Sequence, residues 1–219
     1  MYWRASIVSL ILLVAAPVVK AVEITTYGPG LMSCNAYSAA RDSESADELP
    51  FIDWLVGYLS GVNATSSRRN NILGLSDVKA AMYELDNFCR ARPAARFAEA
   101  AGMFVMGASS APGAHSVEVA DYGSGFKSCA TYIEARAPQS LDGAEFTDWL
   151  GGYLSGVNAI SLKTNNILGG AELPQAMYWL DNYCTANSLE PFAAAVGALV
   201  GQSYPKRAIT ELMSKEFPR

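Results

Sequence analysis

Histidine is nearly absent from this chain: His115 stands alone in 219 residues. A histidine zinc site, a catalytic base of the imidazole kind and an imidazole pH switch near 6 all lose their usual side chain. Cysteine is scarce too, and the four present form no C-x-x-C pair, which disfavours a thiolate metal site. No G-x-S-x-G, H-E-x-x-H or phosphate-cradling glycine loop occurs. The net charge of −5 provides no electrostatic footprint for nucleic acid and no attraction to anionic membrane surfaces. Alternating strand patterns are missing, as is any long apolar run beyond residue 21. Neither a cofactor nor a metal is expected, and an enzyme of common type is disfavoured.

The exception to the missing apolar runs is the start of the chain. "MYWRASIVSLILLVAAPVVKA" has a basic residue, a short apolar stretch and small residues at Val19 and Ala21. It reads as a secretory signal peptide, with an uncleaved anchor as the alternative. Losing Arg4 and Lys20 with it moves the net charge from −5 to −7. Export to a bacterial periplasm, or secretion, makes oxidised cysteines the expectation.

What the chain has in abundance is itself. From Tyr27/Tyr122 to Val105/Val200 it repeats without a gap at an offset of 95, and roughly half of the positions are identical. The expected organisation is a signal peptide at 1–21, a first helical unit at 22–106, a Gly/Ala/Ser/Pro linker at 107–119, a second unit at 120–202 and a tail at 203–219. In the tail, Ile209, Leu212, Met213 and Phe217 recur at helical spacing and suggest a short docking helix. The fold class is all-α, with four helices per unit.

A unit of this size has a small core. A unit that was once free-standing closed its own disulfide, so the expected pairs are Cys34–Cys89 and Cys129–Cys184. Each closes a loop of about 56 residues, worth roughly 4 kcal/mol in the chain-entropy account. Ser33 and Asp77 are expected helix caps, Pro50 and Pro174 sit where first turns begin, and "NNILG" at 70–74 and 165–169 reads as a turn. "YGPG" and "YGSG" also read as turns.

The most closely repeated stretch is "DWLVGYLSGVNA", returning as "DWLGGYLSGVNA". Wound as a helix, it places Phe51, Leu55, Tyr58, Leu59 and Val62 on one stripe and Trp54, Gly57, Gly61 and Ala64 on another. Each interior glycine costs about 1 kcal/mol relative to alanine. Small residues one turn apart compensate by letting another backbone come close. The remaining polar stripe is Asp53, Ser60 and Asn63, with Asp148, Ser155 and Asn158 as counterparts. Together with Asn71, Asp86, Asn166 and Asp181 these form the candidate binding set. The competing use is structural: Asp53 in a first helical turn, Asn63 bonding the "NNILG" backbone, and Arg41 or Arg136 pairing with a nearby Asp.

The order "SC…AR…W-L-x-G-Y-L-S-G…DN-F/Y-C", followed in the first unit by "RARP" and a small-residue helix, resembles small exported bacterial helical domains with one disulfide. Two such groups are the periplasmic amidase-immunity proteins of type VI secretion and the HdeA-type acid-stress chaperones. The first resemblance implies an inhibitor that binds an envelope enzyme or toxin. The second implies a chaperone that loosens when its carboxylates are protonated. The resemblance covers Tyr27 to Val105 and Tyr122 to Val200, and it transfers no functional residue. The leading expectation is an exported protein-binding module. An acid-stress chaperone comes next, then a small-ligand binder or enzyme using the Asp53, Ser60 and Asn63 face.

Overall fold

The computed structural model describes residues 23–43, 46–66, 70–74, 76–108, 119–137, 140, 143–161 and 164–208. The signal segment, His115 and the tail positions Ile209 to Phe217 lie outside the described residues. The described chain is helical, with α1 (Cys34–Asp42), α2 (Leu49–Thr65), α3 (Val78–Ala91), α4 (Phe97–Ala108), α5 (Cys129–Ala135), α6 (Gly143–Ile160), α7 (Leu173–Ala186) and α8 (Phe192–Ser203). Short 3-10 turns at Gly28–Leu31 and Gly123–Phe126 precede α1 and α5. Among the described residues there is no strand beyond isolated bridges.

Local chemistry sets the helix starts. The Ser33 hydroxyl accepts the Ala36 N–H, the Ser128 hydroxyl accepts that of Thr131, and the Asp77 carboxylate accepts that of Ala80. Pro50 and Pro174 occupy first turns, where a missing N–H costs nothing. The cystines are Cys34–Cys89, tying α1 to α3, and Cys129–Cys184, tying α5 to α7. In the core cluster that holds each cystine, a phenylalanine gathers aromatic rings. Phe97 has Tyr37 at 4.7 Å, Phe51 at 5.1 Å and Trp54 at 5.6 Å. Phe192 is ringed the same way by Tyr132, Phe146 and Trp149.

The glycine stripe identifies its partner. A Cβ on Gly57 would lie 2.0 Å from the carbonyl oxygen of Trp149, and one on Gly61 would lie 2.2 Å from that of Tyr153. Reciprocally, Gly152 meets the Trp54 carbonyl at 1.9 Å and Gly156 meets that of Tyr58 at 2.3 Å. The backbone that each central helix admits is the other central helix. Positions 57 and 61 face 149 and 153, so α2 and α6 run parallel with both N-termini at one end of the seam. Ala64 is exposed and stands apart from these four contacts.

The two halves share more than this seam. Val56, on α2, belongs to the apolar cluster built mainly from residues of α5 to α8. Ala159 and Ile160 pack in return against the cluster of the first half.

The seam yields a paired prediction. Gly152→Ala drives a methyl into backbone that no rotamer change can clear, and stability falls by about 3 kcal/mol, the upper end of the usual overpacking cost. Gly197→Ala in α8 meets nothing within 4 Å. It gains about 0.5–1 kcal/mol from the lost flexibility of glycine. Urea unfolding midpoints at constant m-value distinguish the two outcomes.

Candidate functional site

The polar stripe is largely consumed inside the molecule. Ser60 Oγ donates to the Val56 carbonyl at 2.8 Å and accepts the N–H of Tyr122 at 3.0 Å. Asn63 accepts the Ile72 N–H at 2.7 Å and donates to the Ala120 carbonyl at 2.7 Å. Its third bond, from the same amide to the Tyr122 hydroxyl, is 3.3 Å long. That hydroxyl donates in turn to Asn71 Oδ1 at 2.6 Å.

The other half repeats the arrangement. Ser155 accepts the Tyr27 N–H at 2.9 Å, Asn158 accepts the Ile167 N–H at 2.7 Å and donates to Thr25 O at 2.9 Å, and Asn166 accepts the Tyr27 hydroxyl at 2.6 Å. The segment ahead of each half therefore crosses to the opposite half and is held there by the stripe. Backbone bonds from Thr25 N to Asn165 O and from Ala120 N to Asn70 O complete the exchange.

The turns that follow these arms explain "YGPG" and "YGSG". Gly28 and Gly123 adopt φ of +58° and +60°, a conformation that favours glycine. A Cβ on Gly30 would meet the Trp54 indole at 2.2 Å, and one on Gly125 would meet that of Trp149 at 2.5 Å. Each indole N–H also donates across 2.7 Å, Trp54 to the Tyr27 carbonyl and Trp149 to that of Tyr122. The tryptophans thus clamp the arms. Tyr27 and Tyr122 were invisible as key residues in the sequence, although their place at the start of the repeat was the available signal.

Asp86 and Asp181 are occupied too. Asp86 accepts the Tyr37 hydroxyl at 2.6 Å and the Arg41 guanidinium at 3.3 Å, while Asp181 accepts Tyr132 at 2.6 Å and two bonds from Arg136 at 3.0 Å. Both pin the first helix of a half to its third, next to the cystine. Burial would lift the Asp181 carboxyl, but the bonds from Arg136 and Tyr132 outweigh it and hold the group below its ordinary value.

Asp53 and Asp148 remain. Asp53 lies beyond the first turn of α2, which begins at Leu49, so the dipole argument reaches it weakly. Among the described residues no hydrogen-bond donor reaches either carboxylate. Both line a cleft of about 380 Å³ at the N-terminal mouth of the α2–α6 seam. Glu145 joins them there, and Ala46, Leu49, Pro50 and Ala144 provide apolar walls. Burial, then the nearby charges of Glu145 and Asp148, push the Asp53 carboxyl up to about 6, against the pull of Lys127. Burial alone lifts Asp148 to about 6. Lys127 is already engaged with Glu145.

The fold brings Asp53 to Asp148 rather than to Asp86, across 95 residues of sequence. Among the described residues, no three His, Cys, Asp or Glu converge in a way that fits a metal ion. No described helix is long and apolar enough to cross a membrane. The disulfides fit an oxidising, extracytoplasmic setting. Comparison with protein-family models, with curated proteins and with solved structures finds no match.

Asn63→Ala should destabilise the chain through its stranded partners, Ile72 N–H and Ala120 C=O. The expected cost is about 1–3 kcal/mol per stranded group. Asn158→Ala should behave alike through Ile167 and Thr25. Chemical denaturation checks both, and unchanged stability would return the stripe to the list of binding surfaces.

Proposed function

We propose that the protein is an exported interaction module, working in the bacterial periplasm, that holds a basic segment of another protein in the acid-lined cleft between α2 and α6. One observation carries this reading. Of the polar residues repeated in both halves, Ser60, Asn63, Asn71, Asp86 and their counterparts are spent on internal bonds, whereas Asp53 and Asp148 face a cleft without donors of their own.

The chemistry of the cleft suits a lysine- or arginine-bearing segment. Among the described residues three carboxylates line it, and the nearby Lys127 ammonium is already paired with Glu145. Leu49 is about half exposed at the rim and offers apolar contact for the stem of a long cationic side chain. Charge complementarity of this kind steers encounter and discriminates among partners more than it adds affinity. Inhibition of a toxin or an envelope enzyme is the concrete form this binding takes. The acid-stress chaperone is less well supported, because Asp53 and Asp148 favour the folded state more as they take up protons.

The test is retention of a stoichiometric partner from periplasmic extract on the immobilised full chain. Asp53→Lys with Asp148→Lys should abolish retention, and retention by the native chain should fall as salt rises towards 0.5 M, as surface charge pairs are screened. A partner held equally by native and charge-reversed chains would sink the proposed surface.

A further inference from the structure

We propose that Lys127 is a resident competitor in the cleft: by holding Glu145 it leaves only Asp53 and Asp148 to a partner, so that the cleft selects one basic residue beside an apolar one rather than a dibasic pair. This deepens the reading of the cleft as a seat for a basic segment and rests on it.

The two walls of the cleft are the same positions of two equivalent helices, and they differ. At the offset of 95, Leu49 answers to Ala144, Pro50 to Glu145 and Asp53 to Asp148. The aspartates are common to both walls. The turn ahead of them is apolar on α2 and acidic on α6. Leu49 is about half exposed, so the apolar wall is open to a partner side chain.

Lys127 stands at the acidic wall. Its ammonium pairs with Glu145 and lies 5.5 Å from the centre of the Phe146 ring. Its backbone is fixed as well: the N–H donates to the Ser124 carbonyl at 3.1 Å, and the carbonyl accepts the Phe192 N–H at 2.8 Å. The side chain therefore springs from a set point, and a carboxylate and an aromatic face both attract its charge.

The first half provides an internal control. The position equivalent to Lys127 is Met32, and its backbone makes the same two bonds, to the Pro29 carbonyl at 3.0 Å and from the Phe97 N–H at 2.8 Å. One backbone thus carries methionine where the wall has Pro50 and lysine where the wall has Glu145. The lysine goes with the carboxylate.

The occupant is constrained on both sides. A second cation finds Glu145 taken by a tethered ammonium, which competes at an effective concentration on the order of millimolar or above. An apolar neighbour finds Leu49 and Pro50. Asp53 and Asp148 remain for one basic side chain.

The experiment titrates the full chain at low salt with two end-blocked peptides, Gly-Lys-Leu-Gly and Gly-Lys-Lys-Gly, and follows the backbone amides of 49–53 and 144–148 by NMR. The native chain should bind the Lys-Leu peptide at least as tightly as the Lys-Lys peptide. K127M installs the side chain that the equivalent backbone at 32 already carries, and K127Q gives the same comparison if K127M folds poorly. Either variant should favour the Lys-Lys peptide by about two- to fivefold, the worth of one exposed charge pair. K127M/E145Q, which removes the freed carboxylate, should return to the native preference. An equal preference for Lys-Lys in the native chain and in K127M would mean that Lys127 withholds nothing; the proposal then falls while the cleft remains a seat for basic segments. If neither peptide shifts the cleft amides of any chain, both readings fall.

Discussion

Two helices in this molecule touch through their backbones, and most of the architecture follows from that contact. With glycine at 57, 61, 152 and 156, the carbonyls of Trp54, Tyr58, Trp149 and Tyr153 sit where side chains normally keep helices apart. Such proximity places Cα–H groups against carbonyl oxygens and gains dispersion over the whole face. It also fixes the register, because a helix seated glycine-to-carbonyl cannot slide by a residue without a collision. Once α2 and α6 are locked, each presents its Ser and Asn towards the other half's leading segment.

The polar stripe is therefore the second layer of one interface. Ser60 and Asn63 hold an arm that belongs to the second half, and Ser155 and Asn158 hold one that belongs to the first. The same side chains cap loops within their own half through Ile72 and Ile167. A buried asparagine that joins a local loop to a distant arm couples the two halves in a single network, and such networks are costly to leave half made. This dual use also accounts for the near-identity of the repeated stretch. Its letters answer to the neighbour helix, to the indole clamp and to the arm at once.

The helix order, the cystine pairing, the caps at Ser33 and Asp77 and the close backbone approach at the glycines were legible in the sequence, because each depends on local spacing or on the repeat. So was the bond from Asn63 to the "NNILG" turn. The identity of the approaching backbone was not, since a glycine face states that something comes close without naming it. The arms were hidden for a different reason: Thr25 and Ala120 contribute through their main chain, which leaves no trace in side-chain identity. The cleft was hidden because it depends on Asp53 meeting Asp148 and on Glu145, whose counterpart in the first half is Pro50.

The crossing arms also set an order of assembly. Residues 23–27 precede every other described part of the chain, yet apart from the bond from the Trp54 indole to the Tyr27 carbonyl, their bonds lie with Ser155, Asn158, Asn165 and Asn166. A chain made from its N-terminus can close Cys34–Cys89 and pack α3 against α1 and α4 early, since those contacts lie within the first half. The arm must wait until almost the whole chain has followed it. The earliest described stretch is thus among the last to be seated, and until α6 is made the glycine face of α2 lies bare. The second half completes the first as much as it repeats it.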